Sequence, residues 1–271
     1  KPLTPIPYVL TKDSRYRSIY VLYQELQDEE LDITLDSQYS YQWKRTDKLY
    51  EMWCYVELLG VLEEKLDYKP VRGWIYDMYF NEERMLIPSL PSGERIILEK
   101  DGLQLHLVYD GIIPLTSSET VPFLHPLFMR QQFNRPDGRL DVYKDGTYYG
   151  TVMMDFKYRP RYNFWKKDRV NTIARTREMT QLIGYSDARS NYLFGTERPR
   201  TTAFQRLSPV AEVWAFYPVK DGRSERVTAS PDHNLRLIPF SPGMDQDHVA
   251  RELERILEQL LRDSTGFMGN K

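Results

Sequence analysis

The sequence predicts a mixed β-sheet flanked by helices, an α/β (α+β) fold. Three observations predict it. Apolar residues recur at helical spacing in a long segment before the middle of the chain and again at its end. Two strand-like pairs each meet at an Asp-Gly turn. After them a helix, two apolar strands and a last helix follow, an order that suits a sheet covered by helices.

Taken in order, residues 1–12 hold three prolines and read as an extended lead-in. Ser14 to about Asp28 has Ile19, Leu22, Tyr23 and Leu26 at helical spacing, and the acidic stretch Asp28–Asp36 reads as a solvated linker. Residues 1–45 are thus expected to be an N-terminal extension or helical lead-in, with the main domain over 46–271. A helix is predicted from Thr46 to Leu66, with Leu49, Met52, Trp53, Val56 and Leu59 as its apolar stripe. Asp67–Pro91 is rich in breakers and reads as irregular. Arg95–Lys100 and Leu103–Val108 form a hairpin on Asp101-Gly102, and Leu127–Phe133 reads as a strand. Gly138–Tyr143 and Tyr148–Lys157 form a second hairpin. A helix over Thr172–Asp187 with Asn171 as N-cap, a loop over 188–209, strands at Ala211–Val219 and Leu235–Phe240, and a helix over Gln246–Arg262 complete the reading.

Composition narrows the function. The 271 residues carry 37 basic and 39 acidic side chains, so a globally basic nucleic-acid binder is not indicated and any such surface must be local. No apolar run reaches the ~18 residues of a membrane span, and no signal peptide is visible. The single cysteine, Cys54, excludes an intramolecular disulfide and a Cys-rich zinc site and reads as core. The four histidines have no helix-spaced partner for zinc, and there is no phosphate-binding glycine loop or G-x-S-x-G elbow.

Asp155 and Lys157 stand two apart on a strand and so share a face. That pairing suits metal-assisted phosphodiester hydrolysis: a carboxylate for a hard cation, an ammonium for the developing charge. Val152, Met153, Met154 and Phe156 mark the strand as buried, where a charge needs a partner or a function. A second carboxylate precedes the paired strand. If the hairpin loop is Lys144-Asp145-Gly146, Tyr143 faces Thr147 and Asp137 faces Met153, diagonal to Asp155 at ~7–8 Å. A two-residue turn would put Asp137 on the wrong face. Asp141 is the rival carboxylate and reads as structural, since this register sets it opposite Tyr149, ~20 Å along the strand from Asp155. From Lys157 to Arg177 the chain is locally basic: Lys157, Arg159, Arg161, Lys166, Lys167, Arg169, Arg175 and Arg177 against one acid, Asp168. Tyr158, Tyr162, Phe164 and Trp165 are interleaved, as in surfaces that neutralise phosphates and stack on bases.

The string RPDGRLDVYKDGTYYGTVMMDFKYR resembles the core of the PD-(D/E)XK nuclease superfamily, and more narrowly the McrC-like nuclease subunits of restriction systems. LYEMWCYVELLGVLEEKL resembles the helix before the nuclease sheet, MTQLIGYSDA the helix after the lysine, and VAEVWAFYPV the late strand. The resemblance implies a restriction-endonuclease-like core over roughly 46–262. It implies that Asp137 and Asp155 bind Mg²⁺ (or Mn²⁺), that Lys157 is catalytic, and that Glu51 completes or supports the site. Glu51 reads equally as a solvated helix residue. Gln181, one turn from Tyr185, reads as a contact to the site or as a plain polar helix residue. The resemblance further implies a prokaryotic, cytoplasmic DNA endonuclease of a restriction or antiviral defence system. Such a subunit works with a separate AAA+ GTPase or ATPase motor, and cutting both strands would call for a homodimer. The rival expectations are a non-catalytic nucleic-acid-binding or assembly module that keeps the fold, and a DNA repair nuclease.

Overall fold

The computed structural model describes residues 32–35, 46–77, 84–87, 90–166, 168–170, 172, 174–195, 208–219 and 225–268. The helix expected at Ser14–Asp28 lies outside them, as do Lys167 and Asn171.

The strands are β1 (Asp32–Leu35), β2 (Lys69–Arg72), β3 (Arg84–Ile87), β4 (Arg95–Lys100), β5 (Leu103–Tyr109), β6 (Leu127–Phe128), β7 (Gly138–Lys144), β8 (Thr147–Phe156), β9 (Arg189–Ser190), β10 (Val210–Tyr217), β11 (Thr228–Ser230) and β12 (Leu235–Pro239). The helices are α1 (Thr46–Gly60), α2 (Arg161–Phe164), α3 (Arg177–Gly184) and α4 (Asp247–Met268). Eight strands form one sheet in the order β11-β12-β10-β8-β7-β5-β4-β2. β10 runs parallel to β8 and to β12 while the other pairs are antiparallel, so the sheet is mixed, as the sequence predicts. β1 pairs with β3 and β6 with β9 in two small two-stranded sheets.

α1 is buried on most sides rather than along one stripe. Tyr50, Cys54, Tyr55 and Leu58 are core, whereas Val56, assigned to the stripe from spacing, is 43% exposed. Tyr55 donates to Leu107 O and its ring packs on Tyr109, while Tyr50 donates to Phe240 O, which fixes α1 across one sheet face. α4 lies on that side too, its Leu260 side chain against Gly150 of β8. The connection between β5 and β7, together with α3, covers the opposite face. Five short strands were not expected: β2 and β3 in the breaker-rich stretch, β1 in the acidic stretch read as a linker, β9 in the stretch read as a loop, and β11 before the last strand. The strand expected over 127–133 shrinks to two residues, and the helix expected from Thr172 starts at Arg177, capped by Thr176, whose hydroxyl accepts from Met179 N.

Candidate active site

The geometry of Asp137 and Asp155 is set by the β7–β8 hairpin. Lys144 pairs with Thr147 across Asp145-Gly146, both at positive φ, the signature of a two-residue type I′ turn. The two-residue alternative is thus the one formed, not the three-residue loop on which the sequence register was conditional. A turn of this length alone would put Asp137 on the wrong face. A β-bulge corrects it: Tyr143 faces Tyr148, but Val142 faces Gly150, so β8 carries one extra residue at Tyr149. Beyond the bulge Gly138 faces Met154, and one step further the register sets Asp137 beside Asp155 rather than opposite Met153. Asp141 faces Thr151, not Tyr149. Gly138 lies against the neighbouring strand, where a Cβ would meet the Phe156 ring at 3.1 Å.

Asp155 is fully buried, and Lys157 Nζ lies 2.5 Å from its Oδ1. Tyr185 donates to Asp155 Oδ2 at 3.4 Å and accepts from Gln181 Nε2 at 2.8 Å. Lys157 also reaches Gln181 Oε1 at 3.3 Å. Asp137 keeps a partly exposed edge, and its Oδ2 accepts from the Phe156 amide at 2.7 Å. Burial, then the charges of Asp155 and Glu51, hold its carboxyl well above the usual range, against the opposing pull of Lys157 and that amide. Burial alone would lower the Lys157 ammonium, but Asp155 and Asp137 more than offset it and raise it.

Glu51 reaches the cluster from α1. Its side chain is only 16% exposed and takes Lys48 at 2.6 Å, so the solvated reading fails. Burial raises its carboxyl and the hydrogen bond from Lys48 opposes that. Lys48 continues to Asp110 at 3.4 Å, and Asp110 receives Arg135 through Nε and Nη2, each at 2.7 Å. Spacing gave no sign of Tyr185, Lys48, Asp110 or Arg135 as members of this network, although Tyr185 stands one helical turn from Gln181. Asp141 is elsewhere: its oxygens take Arg139 Nε at 2.9 Å and the Thr151 hydroxyl at 2.6 Å, in full burial.

Among the described residues no three His, Cys, Asp or Glu side chains close into a metal cage. The donor chemistry still fits a hard divalent cation. Two adjacent carboxylates repel one another until a cation joins them, and Mg²⁺ is commonly bound by one or two carboxylates with several waters.

The basic segment is less uniform than its composition. Arg159, Arg169, Arg175 and Arg177 are exposed, while Arg161 and Lys166 are half-buried. Arg159 pairs with Glu178 at 3.0 Å, Arg161 donates to Thr228 at 2.9 Å, and Arg177 lies 5.3 Å over the Phe133 ring. Of the interleaved aromatics, Phe164 and Trp165 are core, not stacking surface, whereas Tyr162 is 61% exposed.

Compared with known families, residues 48–222, more than half of the chain, match a model of the PD-(D/E)XK nuclease superfamily, and the chain belongs to that superfamily. No curated protein and no solved structure matches it. The mixed sheet flanked by helices is consistent with a restriction-endonuclease-like fold. No helix among the described residues is long and apolar enough to cross a membrane.

Proposed function

We propose that the protein is a metal-dependent DNA endonuclease of the McrC-like kind, acting as the nuclease subunit of a restriction or anti-phage defence system. The observation that carries this reading is the convergence of Asp137, Asp155 and Lys157 at one end of the β7–β8 pair, in a chain of this superfamily. Asp137 and Asp155 would hold Mg²⁺ or Mn²⁺, with Glu51 completing the set by exchanging Lys48 for the ion. Bound there, the ion would polarise a phosphoryl oxygen and ease deprotonation of the attacking water.

The chain's own groups supply the rest. Lys157 places a charge that stays positive beside the two carboxylates, where it offsets negative charge gathering on the phosphate. Gln181 steadies that ammonium, and the Tyr185 hydroxyl holds one oxygen of Asp155. Arg159, Arg161, Lys166, Lys167, Arg169, Arg175 and Arg177 would bind backbone phosphates. In this reading a separate AAA+ GTPase or ATPase chain recognises and moves the DNA, and two copies of this chain cut the two strands of a duplex in the prokaryotic cytoplasm.

Cleavage of duplex DNA with Mg²⁺ and with EDTA, by the wild type, Asp155→Ala and Lys157→Ala, tests the reading. Mg²⁺-dependent cutting lost in both folded variants is expected. Cutting that persists in both sinks the assignment. DNA binding without cutting, even with a motor chain, favours the non-catalytic module.

A further inference from the structure

The sheet face that carries Asp137 and Asp155 continues into a second polar cluster. Cross-strand register places Arg95 of β4, His106 of β5, and Arg139, Asp141 and Tyr143 of β7 on it. The turn Val121–His125 closes over them. Phe123 O meets His106 Nδ1 at 3.2 Å, Leu124 O accepts from Arg95 Nη2 at 2.5 Å, and the Phe123 ring stacks on Tyr143 at 5.0 Å.

Charge and hydrogen bonding are both unbalanced here. The cluster has two guanidiniums, Arg95 and Arg139, and one carboxylate. Both oxygens of Asp141 are engaged, by Arg139 and Thr151, so its direct ion pair serves only one of the two cations. Glu94 acts on Arg95 from outside the cluster, and its Oε1 already accepts from the Trp74 amide at 3.0 Å. Three further buried atoms, Arg95 Nε, His125 Nδ1 and Tyr143 Oη, make no hydrogen bond among the described residues. Tyr143 is only 2% exposed. Burial, then Asp141, pushes its hydroxyl far up, so it keeps its proton and has an O–H to donate. Burial lowers both histidines, so His125 is neutral and can present an N–H at Nδ1.

We infer that this cluster binds a small oxyanion of the phosphate class, received by Arg95, His125 and Tyr143. Arg95 Nε and the Tyr143 O–H are donors, as is His125 Nδ1 in the tautomer that carries its proton there, and the cluster's own charge, two guanidiniums against one carboxylate, is positive. Buried donors without acceptors carry an unrepaid desolvation cost. An oxyanion answers both the donors and the charge, whereas a water molecule answers only part of the first. Arg95 and His125 are half-buried, which gives a path in from solvent. The site is separate from the catalytic pair: Asp141 lies four residues from Asp137 along β7, ~13 Å. The anion could be free phosphate or the terminal phosphate of a nucleic acid, and the two call for the same donors.

The test is the melting temperature of the full chain in EDTA, with inorganic phosphate against chloride at matched ionic strength. A second arm compares a 5′-phosphorylated oligonucleotide with its hydroxyl-ended twin. We expect a rise of a few degrees with phosphate in one or both arms, and the responding arm identifies the source. The rise should vanish in Arg95→Met and in Tyr143→Phe, which keeps the ring stack, and persist in Asp155→Asn. No phosphate-specific rise in either arm overturns the site. A rise kept in both Arg95→Met and Tyr143→Phe marks an adventitious ion only, and a rise lost in Asp155→Asn moves the anion to the catalytic pair.

Discussion

Asp137 and Asp155 bring like charges together in a largely buried place, and their neighbours offset the cost unequally. Lys157 and the Tyr185 hydroxyl attend Asp155, while Asp137 has one backbone amide and the carboxylate of Glu51 against it. Burial, then the charges of Asp155 and Glu51, raise Asp137, and a divalent cation is what would relieve that repulsion. A different titration dominates at His106. Burial holds it down at about 4, so the folded protein keeps it neutral while the unfolded chain takes up a proton near pH 6.5. Its contribution is fully present above the unfolded value and is lost as pH falls from about 6.5 toward 4, for a total of roughly 3 kcal/mol. Urea unfolding between these pH values should show the wild type losing more stability than His106→Gln. Comparing the two removes the opposite trend expected from Asp137, whose raised carboxyl gains a proton on folding as pH falls. Parallel pH profiles would contradict the neutral assignment of His106.

At the scale of the elements, the site depends on one bulge. Gly150, at φ +143°, directly follows its extra residue Tyr149, and a Cβ there would meet Leu260 Cδ2 at 2.7 Å and Pro209 O at 3.0 Å. Gly150→Ala is expected to cost roughly 1–3 kcal/mol through backbone strain and crowding. It should also lower cleavage by more than the unfolded fraction explains, because a lost bulge turns Asp137 from Asp155. Chemical denaturation together with cleavage normalised to folded protein checks both. This hairpin also shows what the sequence discloses. Asp155 and Lys157 follow from strand period alone, and the two Asp-Gly turns place both hairpins. Asp137 came out on the correct face through a loop one residue too long, because parity does not distinguish an extra loop residue from a bulge. The isolated glycine inside a strand, Gly150, was the available signal. Tyr185, Lys48 and Asp110 join the site by tertiary contact, which periodicity does not encode. The edge strands β2 and β11 are short, and pairing with neighbours rather than propensity makes them.

At the scale of the molecule, the family match ends at residue 222, yet the sheet goes on through β12 and is covered by α4. Glu212 of β10 ties these parts together. It accepts from Trp214 Nε1 at 2.7 Å, Arg236 Nε of β12 at 2.7 Å and Arg255 Nη2 of α4 at 2.6 Å. Glu212→Ala leaves both guanidiniums to Glu252 alone and frees the Trp214 N–H, and should cost about 1–2 kcal/mol by urea unfolding, with Mg²⁺-dependent cutting retained in the folded fraction. A loss under about 0.5 kcal/mol would mean that the network contributes no more than an exposed pair.

In the proposed function the β7–β8 hairpin pairs Asp137, not Asp141, with Asp155 to hold the metal. The direct measurement is Mg²⁺-dependent DNA cleavage by Asp137→Asn and Asp141→Asn, each normalised to folded protein well below its melting temperature. Cutting abolished in Asp137→Asn and retained in Asp141→Asn is the expected result; the reverse pattern would contradict the register and the site built on it.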